Sequence, residues 1–173
     1  MYGQETLLRY LQDAEAAEQN FESALAALSK TGEQPQVQSA LANMSRMAKT
    51  QHERLESRIK ALGGSRSTLK SALAHVIGFA PTLGQIGETA GEKNTQDLIL
   101  VVAAAAAESA MYEALSAAAS AAGDSETEQL ARQLQQEERE DYKTAATLLR
   151  QSAVEAFHNA MAENSQDAGS RVV

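Results

Sequence analysis

The chain has 173 residues, a formal net charge of −8 and no cysteine. A chain of this length forms one domain with a full hydrophobic core. The lack of cysteine excludes disulfides, thiolate metal sites and cysteine nucleophiles, and the negative charge opposes nucleic-acid binding, which needs a basic surface. With only two prolines and many good helix formers, the composition predicts an all-α protein.

The first half of the chain predicts two long helices. Residues 4–30 place apolar side chains at alternating steps of four and three, with Glu18 at the middle of this apolar stripe. Gly32 is the expected stop. The second helix is predicted over residues 35–62, with Gln51 as the polar residue of its stripe, and the two glycines that follow Leu62 should end it.

A weaker pattern over residues 65–94 predicts a long crossover that contains a short amphipathic helix. Bundles whose consecutive helices all run antiparallel use short loops, whereas ferritin-like bundles need one long connection. The crossover therefore favours a ferritin-like four-helix bundle.

The second half predicts two more helices. The third should cover residues 95–122, capped by Asn94 or Thr95 and ended by Gly123. For the fourth helix, Ser125 and Glu128 form a predicted capping box. The bundle is expected to cover residues 1–163, followed by a polar C-terminal tail over residues 164–173.

Acidic residues interrupt three of the four predicted apolar stripes near mid-length. They are Glu18 in helix one, Glu108 in helix three, and Glu137 with Asp141 in helix four. An unpaired buried carboxylate costs several kcal/mol, so these acids need cationic or hydrogen-bonding partners. The apolar stretch around Glu108 is too short between its acids for a membrane span, which needs about 20 residues.

Four segments give the chain a resemblance to bacterial ferritin-like proteins of the YciE/YciF stress-associated type. In chain order they are YLQDAEAAEQNFESALAAL, RLESRIKALGG, EKNTQDLILVVAAAAAE and QLQQEEREDYKTAATLL. The resemblance implies a four-helix bundle with a long crossover, a homodimer, and a di-iron or related two-metal site between the helices.

Ferritin-like sites take a Glu from each of two helices and Glu-x-x-His from each of the other two. Carried over to this sequence, the resemblance implies a set of metal ligands with two alternates, Gln51 and Glu138. The main set is Glu18, His52, Glu108, Glu137 and Asp141. Helix two departs from the pattern: its Glu-x-x-His positions are Arg46 and Lys49 in one register, and Lys49 and His52 in the other.

Two hypotheses for function stay open. In the first, the two-metal site is degenerate or lost, the acids pair with Arg46 and Lys49, and the bundle is a structural or interaction module of a stress response, with a protein as its partner. In the second, the acids bind iron or manganese for metal storage, oxidation or peroxide handling. No secretory signal is evident at the start of the sequence, so the expected location is cytoplasmic. Neither hypothesis assigns an enzyme class.

Overall fold

The computed structural model describes residues 2–32, 34–65 and 90–170. These residues form four helices and, within the described ranges, no strand. The helices are α1 (Tyr2–Thr31), α2 (Pro35–Ala61), α3 (Ala90–Ala122) and α4 (Ser125–Ser170). The predicted all-α fold is confirmed. The predicted short crossover helix falls on residues 66–89, which lie outside the described residues.

The helix ends show that the chain order requires a crossover. α1 packs mainly on α2, and α3 on α4. The start of α3 lies beside the end of α1, where Lys93 Nζ donates to Thr31 Oγ1 at 3.3 Å. The end of α2 lies at the opposite end of the bundle, where Arg58 binds Asp124 in the α3–α4 turn. α2 and α3 therefore run parallel, and the chain between them must link opposite ends of the bundle.

Glycine ends two of the helices as predicted. Gly63 and Gly123 have φ values of +76° and +72°, a conformation that costs other residues about 1–2 kcal/mol. Beyond Gly63, the Gly64 amide donates to Ile59 O at 2.9 Å, and beyond Gly123 the Asp124 amide donates to Ala119 O at 2.9 Å. Both ends are Schellman motifs, which satisfy carbonyls that the helix leaves unpaired.

Two predicted helix starts were wrong. α3 begins at Ala90, so Asn94 lies inside the helix, where its side chain is buried. At α4 the cap is Asp124, whose Oδ1 accepts a hydrogen bond from the Thr127 amide at 3.0 Å. Ser125 is already the first helical residue. α4 also continues to Ser170, so the predicted polar tail is helical at its start.

The core is divided into two apolar halves along the bundle axis. One half lies toward the α1–α2 turn and contains Phe21, Leu41, Leu98 and Leu148 among others. The other lies toward the α3–α4 turn and contains the residues Leu11, Leu55, Tyr112, Leu115 and Leu134. Between the two halves is a layer of buried polar side chains.

α3 is the most apolar of the four described helices. In contrast to the expectation from the spacing of its acids, residues 92–122 would suffice to cross a membrane by length and composition alone, a property that core helices of water-soluble proteins share. One face of α3 is buried in the bundle through Leu98, Val101, Leu115 and Ala119. The same face carries Glu108.

Candidate metal centre

Three glutamates from three helices meet in the polar layer. Glu18 of α1, Glu108 of α3 and Glu138 of α4 are 0%, 2% and 0% exposed. One carboxylate oxygen from each lies within 4.8 Å of the other two. Each glutamate takes a position that would otherwise hold an apolar core residue, so helix packing itself brings the three carboxyl groups together.

Two hydrogen-bond donors reach this carboxylate cluster, which we define as Glu18, Glu108 and Glu138. The Tyr112 hydroxyl donates to Glu18 Oε1. Gln51 Nε2 donates to Glu138 Oε1 at 3.0 Å and to Glu137 Oε2 at 3.2 Å. Each donor satisfies one oxygen of the cluster and leaves the others for another partner.

Several buried oxygen atoms receive no hydrogen bond from an N–H or hydroxyl group in the described part of the chain. They are Glu18 Oε2, Glu138 Oε2, Gln51 Oε1 and both carboxylate oxygens of Glu108. Glu108 and Glu138 are close enough to hydrogen-bond to each other, but two carboxyl groups do so only when one of them carries a proton. The cluster therefore needs either protons or a cation.

Burial raises the pKa of all three carboxyl groups because it removes water from their charged forms. The pKa of Glu18 rises to about 8, with the Tyr112 hydrogen bond opposing the rise and the charges of Asp141 and Glu137 adding to it. The pKa of Glu138 rises to about 9 through burial and the nearby Glu18 and Asp141. The pKa of Glu108 also rises, first through burial and then through Glu18 and Glu138.

The basic side chains of α2 do not pair with the cluster. Arg46 and Lys49 are exposed, so the pairing of these residues with the buried acids, which one of the two hypotheses contained, was wrong. The cation nearest in sequence to Gln51 that faces α4 is Arg54, whose Nη1 donates to the two oxygens of Glu137 at 2.8 and 3.0 Å. Glu137 is therefore paired at the margin of the site.

His52 binds elsewhere in the polar layer. Its Nε2 lies 2.8 Å from Glu15 Oε1, and its Nδ1 lies 3.7 Å from Glu22 Oε2. His52 and Glu15 are both buried, at the contact between α1 and α2. The structure thus gives this predicted ligand two acidic partners on α1 outside the carboxylate cluster.

Of the predicted ligands, the structure brings Glu18 and Glu108 together with the alternates Glu138 and Gln51. Asp141 is partly buried beside them, and its negative charge raises the pKa values of Glu18, Glu108 and Glu138. The pKa of Asp141 itself rises to about 6 through burial and the charge of Glu137. The central acid of α4 is Glu138 rather than Glu137, because Glu138 lies on the buried face with Leu134 and Gln135, whereas Glu137 is only partly buried at its edge.

Sequence reasoning did not assign Tyr112 or Glu15 to the site. Tyr112 follows Glu108 by one helical turn on the same stripe, and an aromatic hydroxyl inside an apolar stripe signals a buried hydrogen bond. Glu15 precedes Glu18 by three residues, a spacing that also places two acids on neighbouring positions of one helix face. Both signals were available in the sequence.

The oxygen atoms of the cluster are ligands that suit a hard cation. Carboxylate and amide oxygens are the ligands preferred by magnesium, calcium and manganese, and carboxylates also bind iron. The cluster offers one oxygen from each of three glutamates, and Gln51 Oε1 is a further buried oxygen without a donor. The residues present therefore fit a metal ion with oxygen ligands.

These features define a four-helix bundle protein with a carboxylate cluster at its centre. The sequence profile of the family described as "Domain of unknown function (DUF892)" matches residues 3–161, and the chain belongs to that family. None of the curated proteins matches the sequence significantly.

Solved structures show the same fold. A protein from Xanthomonas campestris pv. campestris matches with a TM-score of 0.77 at 23% identity, over 93% of this chain and 99% of that one. The Escherichia coli stress protein YciF matches with a TM-score of 0.78 at 17% identity, over 87% and 96%. YcfI of Rhodopseudomonas palustris matches with a TM-score of 0.75 at 22% identity, over 84% of this chain and 93% of that one. The predicted resemblance to the YciE/YciF type is confirmed.

Proposed function

We propose that this protein binds a divalent metal ion, iron or manganese, through Glu18, Glu108 and Glu138. The observation that supports this proposal is the set of buried oxygens without donors, above all both oxygens of Glu108. Three carboxylates in one buried layer repel one another unless protons or a cation neutralise them. Glu18, Glu108 and Glu138 would release their protons on binding a divalent cation, whose charge would then neutralise theirs.

Bound iron or manganese would supply the redox capacity that metal storage, oxidation and peroxide handling require. The protein residues have separate tasks around it. Glu18, Glu108 and Glu138 would hold the ion, Tyr112 orients Glu18 through its hydroxyl, and Gln51 orients Glu138 through its amide. The two apolar halves of the core keep bulk water from the site.

The test is metal analysis of untagged protein after anaerobic loading with Fe(II) or Mn(II) and desalting. Wild type should retain metal and Glu108→Gln should not. Glu113→Gln is the matched control, since Glu113 lies on the same helix but is exposed and accepts a hydrogen bond from Gln135. No retained metal in wild type would overturn the proposal.

Thermal unfolding gives an independent measure of the same site. Metal at about 100 times its dissociation constant should stabilise wild type by about 3 kcal/mol, and Glu108→Leu should lose this effect. Without metal, Glu108→Leu should instead be neutral or more stable than wild type, by about 1–4 kcal/mol, because it removes a buried ionisable group.

A second candidate function is a metal-free bundle that acts as a structural or interaction module. The observation in its favour is that the carboxyl groups already share hydrogen bonds with Tyr112 and Gln51 and have raised pKa values, so protons can replace the metal near neutral pH. Metal analysis separates the two candidates directly.

The proposal also includes three properties of the protein: a role in a bacterial stress response, a homodimeric state and a cytoplasmic location. The stress role is supported by the fold shared with the Escherichia coli stress protein YciF. The oligomeric state is tested by sedimentation velocity of the full chain, and the location by cell fractionation.

A further inference from the structure

On the α2 side, Gln51 reaches the cluster, and Arg54, one turn further along, pairs with Glu137 at its margin. Gln51 is 1% exposed and its amide nitrogen bridges Glu138 and Glu137 on α4. Arg54 binds both oxygens of Glu137 through Nη1 and donates from Nη2 to Gln133 Oε1 at 2.9 Å. These contacts show that the residues of α2 that face α4 at this level are an amide and a guanidinium.

A guanidinium cannot be a metal ligand, because it stays protonated and has no acceptor atom. Because Gln51 and Arg54 face α4, they would take the places of the acid and the imidazole that this helix contributes to a two-metal carboxylate site at the same spacing, a register different from the two that the sequence suggested. Here one of these residues is neutral and the other carries a positive charge. Arg54 also binds Glu137, which removes a carboxylate from those available to a second ion.

The three buried glutamates converge on one point, and Asp141 is partly buried beside them. One oxygen each from Glu18, Glu108 and Glu138 lies within 4.8 Å of the others, whereas two metal ions about 3.5–4 Å apart need ligands on both outer sides. Gln51 directs its amide nitrogen at Glu138 and Glu137, so it positions a ligand of this ion and is not itself a charged ligand for a second one.

We propose that the cluster is a site for one divalent cation, and that Gln51 and Arg54 determine this stoichiometry. Neither residue supplies a charged ligand for a second ion, and Arg54 occupies the carboxylate of Glu137. This inference rests on the proposed function and deepens it. Arg54 supplies a fixed positive charge on the side of the site where a second metal ion would otherwise lie.

The experiment loads full-length protein with Mn²⁺ and measures both the bound metal and its electron paramagnetic resonance spectrum. Wild type should bind about one Mn²⁺ per chain and show the hyperfine-split spectrum of an isolated ion. The double variant Gln51→Glu/Arg54→His should bind about two Mn²⁺ per chain and show a spin-coupled spectrum. The control Arg46→His/Thr50→Glu makes the same charge change at exposed positions of α2 and should behave as wild type.

Each outcome has one consequence. About two Mn²⁺ in wild type, or no increase in a folded double variant, would overturn the single-ion proposal and leave the proposed metal binding intact. No Mn²⁺ in any variant would overturn the proposed function itself. Circular dichroism checks that the double variant folds.

The single variant Gln51→Glu keeps the inference testable if the double variant does not fold. It is nearly isosteric and should lower the Mn²⁺ dissociation constant about tenfold at unchanged stoichiometry, since it adds a charged ligand. An unchanged dissociation constant would show that residue 51 does not face the ion.

Discussion

Two groups of polar side chains in this bundle differ in how they are paired. At the α3–α4 turn, Arg58 donates to Asp124 at 2.6 Å, to Thr127 at 2.8 Å and to Glu126. At the centre, the described residues give Glu18, Glu108 and Glu138 two donors, and leave several of their oxygens with none. The turn thus pairs its acids with a cation, while the centre brings acids together.

The two groups shift pKa values in opposite directions. Burial tends to raise the pKa of Asp124, but its bonds to Arg58 and Thr127 outweigh burial and lower it to about 2. At the centre burial prevails, and the pKa values of Glu18 and Glu138 rise to about 8 and about 9. Paired acids stabilise a fold, whereas acids that are buried together cost stability and indicate a binding function.

The largest expected effect is a fall in the stability of metal-free protein with rising pH. The central acids have higher pKa values in the folded than in the unfolded chain, so their contribution is complete below the ordinary value of 4.5 and is lost as pH rises through about 8 and 9. Urea unfolding with a chelator should show a loss of several kcal/mol from about pH 5 to about pH 9.

This pH dependence also tests the comparison of the two groups. Asp124 has the opposite sign: its contribution is present above its ordinary pKa of 3.8 and is lost as pH falls toward about 2. Stability that stays constant across the alkaline range would contradict the assignment of raised pKa values at the centre. Bound metal should flatten the alkaline fall, because it needs the ionised carboxylates.

The next largest effect is expected for Arg58→Ala, which removes the cation of the turn. Asp124 and Thr127 lose their donor, and the cap of α4 is weakened. We expect a loss of about 3 kcal/mol in the free energy of unfolding, measured by urea titration near neutral pH, with metal binding unchanged. A loss of metal binding in this variant would show that the two groups are coupled.

A smaller effect is expected for Tyr112→Phe at the centre. The change removes the hydroxyl that donates to Glu18, so stability should fall by about 1 kcal/mol. The loss should be greater at alkaline pH, because the hydrogen bond favours ionised Glu18. Urea titrations at two pH values measure this difference, and an equal loss at both would show that the hydroxyl does not affect the titration of Glu18.

The smallest effect is expected for Arg132→Ala. Arg132 pairs with Glu128 at 2.7 Å on the exposed face of α4, and solvent screens such pairs. Stability should change by less than about 0.5 kcal/mol. The same urea titration used for Arg58→Ala measures this change in the free energy of unfolding. A loss as large as that of Arg58→Ala would contradict the view that burial determines how much these ion pairs stabilise the fold.

The helix ends show which features of the fold the local sequence can predict. Gly63 and Gly123 end α2 and α3 as predicted, because a left-handed residue favours glycine in any context. The start of α4 was harder to predict: Asp124 and Ser125 both have capping side chains, and the contacts of Asp124 with Arg58 and Thr127 fix which one takes that role. Those contacts depend on the packing of α2.

The sequence by itself determined that Glu18 and Glu108 are buried, because each is flanked along its stripe by apolar residues that have to face the core. Only the tertiary structure decided between Glu137 and Glu138, and which α2 residues meet them. Neighbouring residues on a helix differ by about 100° in direction, so a broad apolar face leaves two adjacent acids nearly equivalent. The packing of α4 against α2 and α3 then places Glu138 at the centre beside Gln51 and pairs Glu137 with Arg54.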